Sequence, residues 1–168
     1  ERLVRIVAKR GVFVSEITVA TVHDVYDVRE LVEPYFVEKY GYLVPRDKIE
    51  LLLADFEQME PENVESIDQV YALDNDLHQL LASYSSNIYL QIMMEQIYGQ
   101  NDRIRVLSGR DSKNRLRASQ KEHRQILEAL RQQDYAAAAL AMRTHLQVAR
   151  EAALEAITKK NRTVFGVE

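Results

Sequence analysis

Apolar residues recur at helical spacing along almost the whole chain from Thr18 onward, and this pattern limits the possible folds more than any other feature. Only 5 glycines and 3 prolines interrupt the 168 residues, so few positions force a helix to end. The pattern predicts six helices, over residues 21–42, 45–59, 63–83, 87–107, 112–132 and 134–160. The third and fourth are joined by a short connection and should be antiparallel neighbours. The sequence therefore predicts an all-α fold, an antiparallel bundle of about six helices.

The first 17 residues follow a different pattern. Apolar side chains alternate between Val4 and Val14 around Lys9-Arg10-Gly11, which predicts a two-stranded hairpin with its turn at the glycine. A hairpin alone is marginal in water. We therefore interpret this one as the end of a domain whose remainder is missing, with an N-terminal ribbon packed on the helices as the alternative.

The composition excludes several classes of protein. The chain has 0 cysteines, which rules out disulfides and thiolate metal sites and fits a reducing cytoplasm. No apolar run approaches the roughly 18 residues that span a bilayer, so we expect no membrane partner. The net charge is -4; residues 1–12 contribute four positive charges and one negative, an excess of +3, which leaves -7 for the rest. We expect a chain with this negative charge to bind nucleic acid poorly.

Four polar residues fall on the apolar faces of three predicted helices. Asp74 and His78 lie four residues apart and complete the stripe of the third helix, while His123 and His145 lie in the middle of the fifth and sixth stripes. A buried carboxylate without a partner is strongly disfavoured, and helical bundles commonly hold metal ions with such inward side chains. The alternative is that each histidine is a hydrogen-bonded core residue. The fourth histidine, His23, falls on a polar face and is excluded from the site.

Three imidazoles and one carboxylate suit zinc, nickel, iron or manganese, and the ligand types alone do not select among them. We take zinc as the first expectation for this divalent cofactor. Four protein ligands would leave open positions on a six-coordinate metal for water or a bidentate ligand.

Arg29 interrupts the apolar stripe of the first helix. An inward arginine needs an anion. One possible partner is an internal glutamate such as Glu33, and the other is a ligand carboxylate held by two hydrogen bonds. Arg103 and Arg105 on the fourth helix are weaker candidates for binding a ligand, because their stretch, NDRIR, fits a solvated face equally well.

Four stretches carry a resemblance to a known family: VYDVRELVEP (25–34), LDNDLHQLLA (73–82), KEHRQILEALRQQDYAAAALAMRTHL (121–146) and LVRIVAKRGVFV (3–14). The first three resemble an Arg followed by a Glu-Pro pair, an Asp-x-x-x-His helix, and a Glu-His start with a later His. The last resembles the end of a winged helix-turn-helix domain. On these motifs the chain is similar to the effector-binding FCD domain of the GntR family of bacterial transcription regulators, a domain named after the C-terminal part of FadR.

The resemblance implies functional residues as well as a fold. The family's metal ligands fall on Asp74, His78, His123 and His145, and its arginine falls on Arg29, which would face an organic-acid effector beside the metal. SSNIYL resembles a family turn that usually reads Gly-Asn-Pro, and its retained Asn87 joins Arg103 and Arg105 as further candidates for the effector site.

The resemblance also implies an organisation and partners. Residues 1–17 would be the remnant of the winged DNA-binding domain, residues 18–161 the FCD-type domain, and residues 162–168 a loose tail. We expect a homodimer that binds operator DNA only through the missing N-terminal part.

Three hypotheses for function follow from these observations. The first is a non-enzymatic domain that binds a divalent metal and a small organic acid to control DNA binding. The second is a metal-dependent enzyme, for which Glu122 is the nearest candidate base, although its helical position turns it roughly 100° away from His123. The third is a metal that only stabilises the core.

Overall fold

The computed structural model describes residues 4–7, 11–59, 67–108 and 113–165. Within these ranges the chain forms two short strands, six α-helices and one 3-10 turn. The elements are β1 (Val4–Val7), β2 (Gly11–Val14), α1 (Val19–Tyr40), the turn (Gly41–Leu43), α2 (Arg46–Gln58), α3 (Ile67–Ser83), α4 (Ile88–Ser108), α5 (Lys113–Arg131) and α6 (Tyr135–Phe165). The all-α fold with six helices is confirmed.

The two strands pair antiparallel, with Val4 opposite Val14. Gly11 has a φ of 102°, a conformation that glycine adopts without strain. The pairing agrees with the alternation in the sequence, while Lys9 and Arg10 of the expected turn lie outside the described residues. That this hairpin belongs to a DNA-binding domain stays a prediction.

Helix α1 contributes to all three apolar clusters of the interior, through residues such as Val37, Val25 and Phe36. It begins at Val19, two residues before the predicted start, because Thr18 and Thr21 form a reciprocal cap in which each side chain accepts from the other's backbone N–H. The helix therefore has a defined start and passes through the middle of the bundle.

The joint between α5 and α6 is a tight turn. Gln133 has a φ of 62°, and the Asp134 side chain accepts a hydrogen bond from the Ala137 N–H at 2.9 Å, so Asp134 caps α6 as the sequence predicts. The end of α1 packs against this joint, since a Cβ on Gly41 would lie 3.0 Å from Tyr135. A larger residue at Gly41 would therefore require the Tyr135 and Leu130 side chains to move.

The interior contains polar residues as well as apolar clusters. The largest cluster joins α1, α2, α3, α5 and α6, a second joins α1, α4 and α6, and a third joins α1, α3 and α4. The buried polar and charged residues are Arg29, Glu33, Asp74, His78, Ser85, Asn101, Gln120, His123 and His145. Most of them come from the middles of α1, α3, α5 and α6, so the bundle encloses a polar centre.

The C-terminal boundary of the sixth helix differs from the prediction. Helix α6 continues to Phe165, so the expectation of a loose tail from residue 162 is wrong as far as Phe165. No glycine or proline interrupts residues 161–165, and the next helix-stopping residue is Gly166, which lies outside the described residues. Helix α3 is described from Ile67, and the predicted start at residue 63 lies outside the described ranges.

None of the helices in the described part of the chain is long and apolar enough to cross a membrane.

Candidate metal centre

The structure brings together the four residues that the sequence pattern singled out as metal ligands. Asp74 and His78 lie one turn apart on α3, His123 lies on α5 and His145 on α6. One ligand atom from each lies within 4.8 Å of all the others, and all four residues are buried. Four positions that are up to 71 residues apart in sequence thus form one cluster of donors, because each lies on the inward face of its helix.

The ring nitrogens called Nε2 point toward a common centre. The His123 Nε2 atom lies 3.2 Å from the His145 Nε2 atom and 3.2 Å from the Asp74 Oδ1 atom. The His78 Nε2 atom lies 3.8 Å from the Asp74 Oδ2 atom and has no hydrogen-bond partner among the described residues. A buried ring nitrogen without a partner is rare in a folded protein, so this atom points to an absent partner such as a cation.

Two glutamates accept hydrogen bonds from two of the histidines, on the side of each ring that faces away from the common centre. The His78 Nδ1 atom donates to the Glu33 Oε2 atom at 2.5 Å, and the His145 Nδ1 atom donates to the Glu122 Oε2 atom at 2.8 Å. An ionised carboxylate only accepts hydrogen bonds, so both Nδ1 atoms carry the proton and both Nε2 lone pairs face the centre. Carboxylates in this position orient metal-binding histidines and fix their tautomers.

Neighbouring arginines keep the carboxylates of the site ionised. Burial alone would raise the pKa of Glu33, but the charge of Arg29 and the hydrogen bonds from His78 and Arg29 outweigh it and lower that pKa to about 2. Burial likewise opposes ionisation of Asp74, yet Arg105 holds the pKa of its carboxyl well below the ordinary value. Both carboxylates are therefore negatively charged at neutral pH.

Burial keeps the facing histidines neutral. It lowers the pKa of His145 to about 3, with the neighbouring His123 acting in the same direction. It also lowers the pKa of His123, although the Asp74 charge partly opposes the effect. Neutral imidazoles and an ionised carboxylate are the protonation states that a metal ion requires of its ligands.

The geometry fits a small divalent cation. Bonds of about 2.0–2.2 Å from a metal to nitrogen and oxygen ligands separate neighbouring ligand atoms by roughly 3.0–3.6 Å. The 3.2 Å distances from the His123 Nε2 atom to His145 and Asp74 fall in this range. Asp74, His78, His123 and His145 would therefore hold such an ion with small side-chain adjustments, and the ion would attract a negatively charged ligand.

A cavity of about 90 Å³ opens beside the four donors. Asp74, His123 and His145 form part of its wall, and apolar side chains from α2, α3, α5 and α6 form another part. Its remaining charged lining consists of Arg29, Arg105 and Arg115. A cation held by the donors would thus lie at the edge of a small space surrounded by guanidinium groups.

Comparison with known proteins assigns the chain to a family. Residues 24–148 match the FCD domain. The chain belongs to the FCD family. A comparison with curated proteins found no match.

Solved structures show the same fold. The metal-free FCD domain of TM0439 has a TM-score of 0.75 at 17% identity, covering 86% of this chain and 99% of that chain. The Zn²⁺-bound FCD domain of TM0439 has a TM-score of 0.70 at 18% identity, covering 86% and 96%. A GntR-family transcriptional regulator from Pseudomonas syringae pv. tomato has a TM-score of 0.70 at 19% identity, covering 96% and 67%. At these identities the likeness establishes the fold alone.

The sequence left two partners open for Arg29, an internal glutamate and a ligand. In this FCD domain Arg29 contacts the glutamate and also faces the cavity. Its Nε atom donates to the Glu33 Oε1 atom at 2.6 Å, so the internal glutamate is its partner. Its Nη2 atom is buried without a hydrogen-bond partner among the described residues, and Arg29 lines the cavity. One edge of the guanidinium is therefore fixed by Glu33, and the other can still donate to a ligand.

Arg105 also lines the cavity, as the sequence suggested, but most of its donors are engaged. It forms an ion pair with Asp74 and donates to Asn75 Oδ1 at 2.8 Å and to the Tyr71 carbonyl at 3.3 Å. The main role of Arg105 is thus to position Asp74, a candidate metal ligand.

The other two effector-site candidates are not brought to the cavity. Arg103 donates to the carbonyl of Ser15, between β2 and α1, and to Gln100 at 2.9 Å. Asn87 caps α4, where its Oδ1 atom accepts from the N–H groups of Tyr89 and Leu90 at 3.0 and 3.3 Å. Arg103 turns toward the linker and Asn87 caps α4, so neither lines this cavity, and their assignment to the effector site stays a prediction.

Sequence reasoning missed Arg115 and the role of Glu122. Glu122 points away from His123, as its helical position indicated, but this direction brings it to His145 on α6. Arg115, seven residues earlier on α5, donates to both oxygens of Glu122 at 3.0 Å. The spacing of two helical turns between Arg115 and Glu122 was the available signal, because it places both on one face of α5.

Proposed function

We propose that this FCD domain senses a small organic acid and thereby controls DNA binding by a bacterial transcription regulator of the GntR family. Asp74, His78, His123 and His145 would hold a divalent cation, with zinc as the first choice. The acid would contact this ion and Arg29. The proposal rests on one observation above all: three buried imidazole nitrogens and a carboxylate lie together, and three of these four groups line a cavity in which Arg29 retains a buried donor without a partner among the described residues.

Each residue of the site has a defined role in this proposal. Glu33 and Glu122 orient His78 and His145, and Arg105 keeps Asp74 ionised. The bound cation would supply a positive centre for one oxygen of the acid, while the Nη2 atom of Arg29 donates to another. Burial excludes water from these contacts, which strengthens them.

Helix α4 offers a route from the site to a DNA-binding part. Arg105 contacts Asp74, and two residues earlier Arg103 contacts the carbonyl of Ser15, just before α1. A small shift of Asp74 on binding the acid would therefore reach the linker through one rigid helix. We propose that acid binding changes the balance between two arrangements of this linker, and so of an attached DNA-binding domain.

A homodimer is part of the proposal. Helices α1 and α4, which pack against each other, both expose large apolar side chains, among them Leu31 and Tyr89, which are 73% and 81% exposed. Such side chains suit a contact with a second copy of the chain. Sedimentation of the metal-loaded protein across a range of concentrations would test this directly.

Binding of metal and acid tests the proposed function. Purified protein should take up one Zn²⁺ per chain, and its melting temperature should rise further with at least one member of a panel of small hydroxy, keto and sugar acids. His145→Ala should abolish both shifts, whereas His23→Ala, a histidine held by Arg150 at 2.6 Å, should leave both unchanged. No response to any acid by zinc-loaded protein would contradict a sensing role and leave a core-stabilising metal.

No observation favours the enzyme over the sensor. The nearest candidate base, Glu122, accepts hydrogen bonds from His145 and Arg115, and these outweigh burial and lower its pKa. A carboxylate so engaged is a weak base. Turnover of a bound acid by the metal-loaded protein would reverse this conclusion.

A further inference from the structure

Every arginine of the cavity is already paired with one carboxylate of the site. Arg29 pairs with Glu33 at 2.6 Å, Arg115 pairs with Glu122 at 3.0 Å, and Arg105 pairs with Asp74. Asp102 also lies 3.9 Å from Arg105, but its side chain is 49% exposed and it does not line the cavity. Among the described residues, these three positive and three negative charges of the site therefore balance before any metal or acid binds.

A divalent cation changes that balance. Its histidine ligands are neutral when they coordinate, so a bound cation adds two positive charges to an electrically balanced site. Charge in a buried site is unfavourable unless an opposite charge compensates it. The paired carboxylates cannot compensate further, because each already neutralises an arginine.

We propose that the acid accepted by the metal-loaded cavity is a compact dicarboxylate that carries two negative charges. This inference rests on the proposed function and narrows its ligand class. A monocarboxylate would leave one positive charge uncompensated in this mostly buried site. A dicarboxylate removes both charges and has one carboxylate for the metal and one for the free Nη2 atom of Arg29.

The cavity also limits the size of the ligand and the polarity of the part between its charged groups. Its volume of about 90 Å³ is small, so a compact acid with a short carbon spacer suits it better than a long one. Part of its wall is apolar and includes Val70, Leu116 and Ala152. An apolar wall favours a carbon spacer between two carboxylates over a phosphate ion, which carries similar charge without one.

A pair of ligands with the same shape and different charge tests the inference. Malonate carries two negative charges, and malonamate, its monoamide, carries one. We expect calorimetric titration of zinc-loaded protein, at a pH where both carboxyls of malonate are ionised, to give at least tenfold tighter binding of malonate. Inorganic phosphate is the third ligand and should bind more weakly than malonate.

Two variants change the site charge in opposite directions with matched side chains. Arg115→Gln removes one positive charge and should reduce the preference for malonate over malonamate at least threefold. Glu122→Gln removes one negative charge and should increase that preference. A purely structural effect of either substitution would weaken both ligands together and leave their ratio unchanged, so the ratio is the decisive measurement.

The outcomes separate this inference from the proposed function. Equal binding of malonate and malonamate, or binding of monocarboxylates only, would overturn the dicarboxylate inference and leave the sensing function in place. Tightest binding of phosphate would overturn it as well. Failure of every acid to bind the zinc-loaded protein would overturn both. If Arg115→Gln does not fold, the ratio in the wild-type protein and in Glu122→Gln still decides the question.

Discussion

Two hydrogen-bonded chains of the same composition run from the cavity to the candidate metal ligands, and they differ in depth. The deep chain is Arg29–Glu33–His78, and the rim chain is Arg115–Glu122–His145. In both, a carboxylate joins a guanidinium to the Nδ1 atom of a histidine. The Arg29 and Glu33 side chains are each 2% exposed, whereas those of Arg115 and Glu122 are 24% and 19% exposed.

The difference in depth indicates that the two chains have different roles. Charges in the deep chain interact at low effective dielectric, so each depends strongly on its partner. Charges at the rim are partly hydrated and tolerate changes in their pairing. We therefore expect the deep chain to hold the site in place and the rim chain to adjust to a ligand. Four experiments test whether the two chains differ in this way.

The largest effect should come from removing the histidine at the end of either chain. We expect His78→Ala and His145→Ala each to weaken zinc binding by about 100-fold or more, because each removes one of four ligands. Competition with a chelating dye would measure the affinity, and His23→Ala is the matched control. Retention of wild-type affinity in either variant would show that the corresponding chain does not end at the metal.

Glu33→Gln should damage the fold as well as the metal site. It leaves the buried Arg29 charge without a counterion, which typically costs about 3–5 kcal/mol of folding free energy. Urea unfolding of the metal-free protein would measure the loss. Glu38→Gln makes the same change at an exposed position of α1 and should have little effect. A loss below about 1 kcal/mol for Glu33→Gln would remove the distinction between the two chains.

Acidification should destabilise the metal-free protein through its histidines. The pKa of His145 is about 3 in the folded protein and near 6.5 when the chain is unfolded. Between these values the unfolded state binds a proton that the folded state does not, so stability is complete above about pH 6.5 and falls as the pH decreases. We expect a loss of about 1–2 kcal/mol between pH 7.5 and 5.5 from this residue.

The variant His145→Gln tests the assignment of that pH dependence. Its urea midpoint should change less between pH 7.5 and 5.5 than that of the wild-type protein. Glu33 should not contribute in this window, because its pKa of about 2 lies below the ordinary value of 4.5, and the stability it provides is lost only as the pH falls below about 4.5. An unchanged pH dependence in His145→Gln would assign the effect to another group.

Glu122→Gln should have the smallest effect on stability. The exposed part of the rim chain lets water solvate Arg115, so we expect a loss of at most about 1 kcal/mol. Zinc affinity should still fall by about tenfold, since His145 loses the carboxylate that orients it. A stability loss as large as that of Glu33→Gln would show that depth does not distinguish the chains.

The sequence predicted the inward positions of the four candidate ligands better than the side chains that support them, and the reason is geometric. Helical periodicity fixes the face on which a residue lies, so the inward positions of Asp74, His78, His123 and His145 followed from spacing within single helices. The bond from Glu122 to His145 depends on how α5 and α6 pack, which spacing within α5 does not determine. The capping role of Asn87 was similarly hidden, because it depends on where α4 begins.

His123 differs from the other two inward histidines because its Nδ1 atom has no partner among the described residues. The His145 Nε2 atom has no proton, so the 3.2 Å contact between the two rings requires that His123 carries its own proton on Nε2. A cation can bind there only after that proton has moved to Nδ1 or left the ring. We therefore expect metal uptake to change the ¹⁵N resonances of His123 from one tautomer to the other, while His78 and His145 retain theirs.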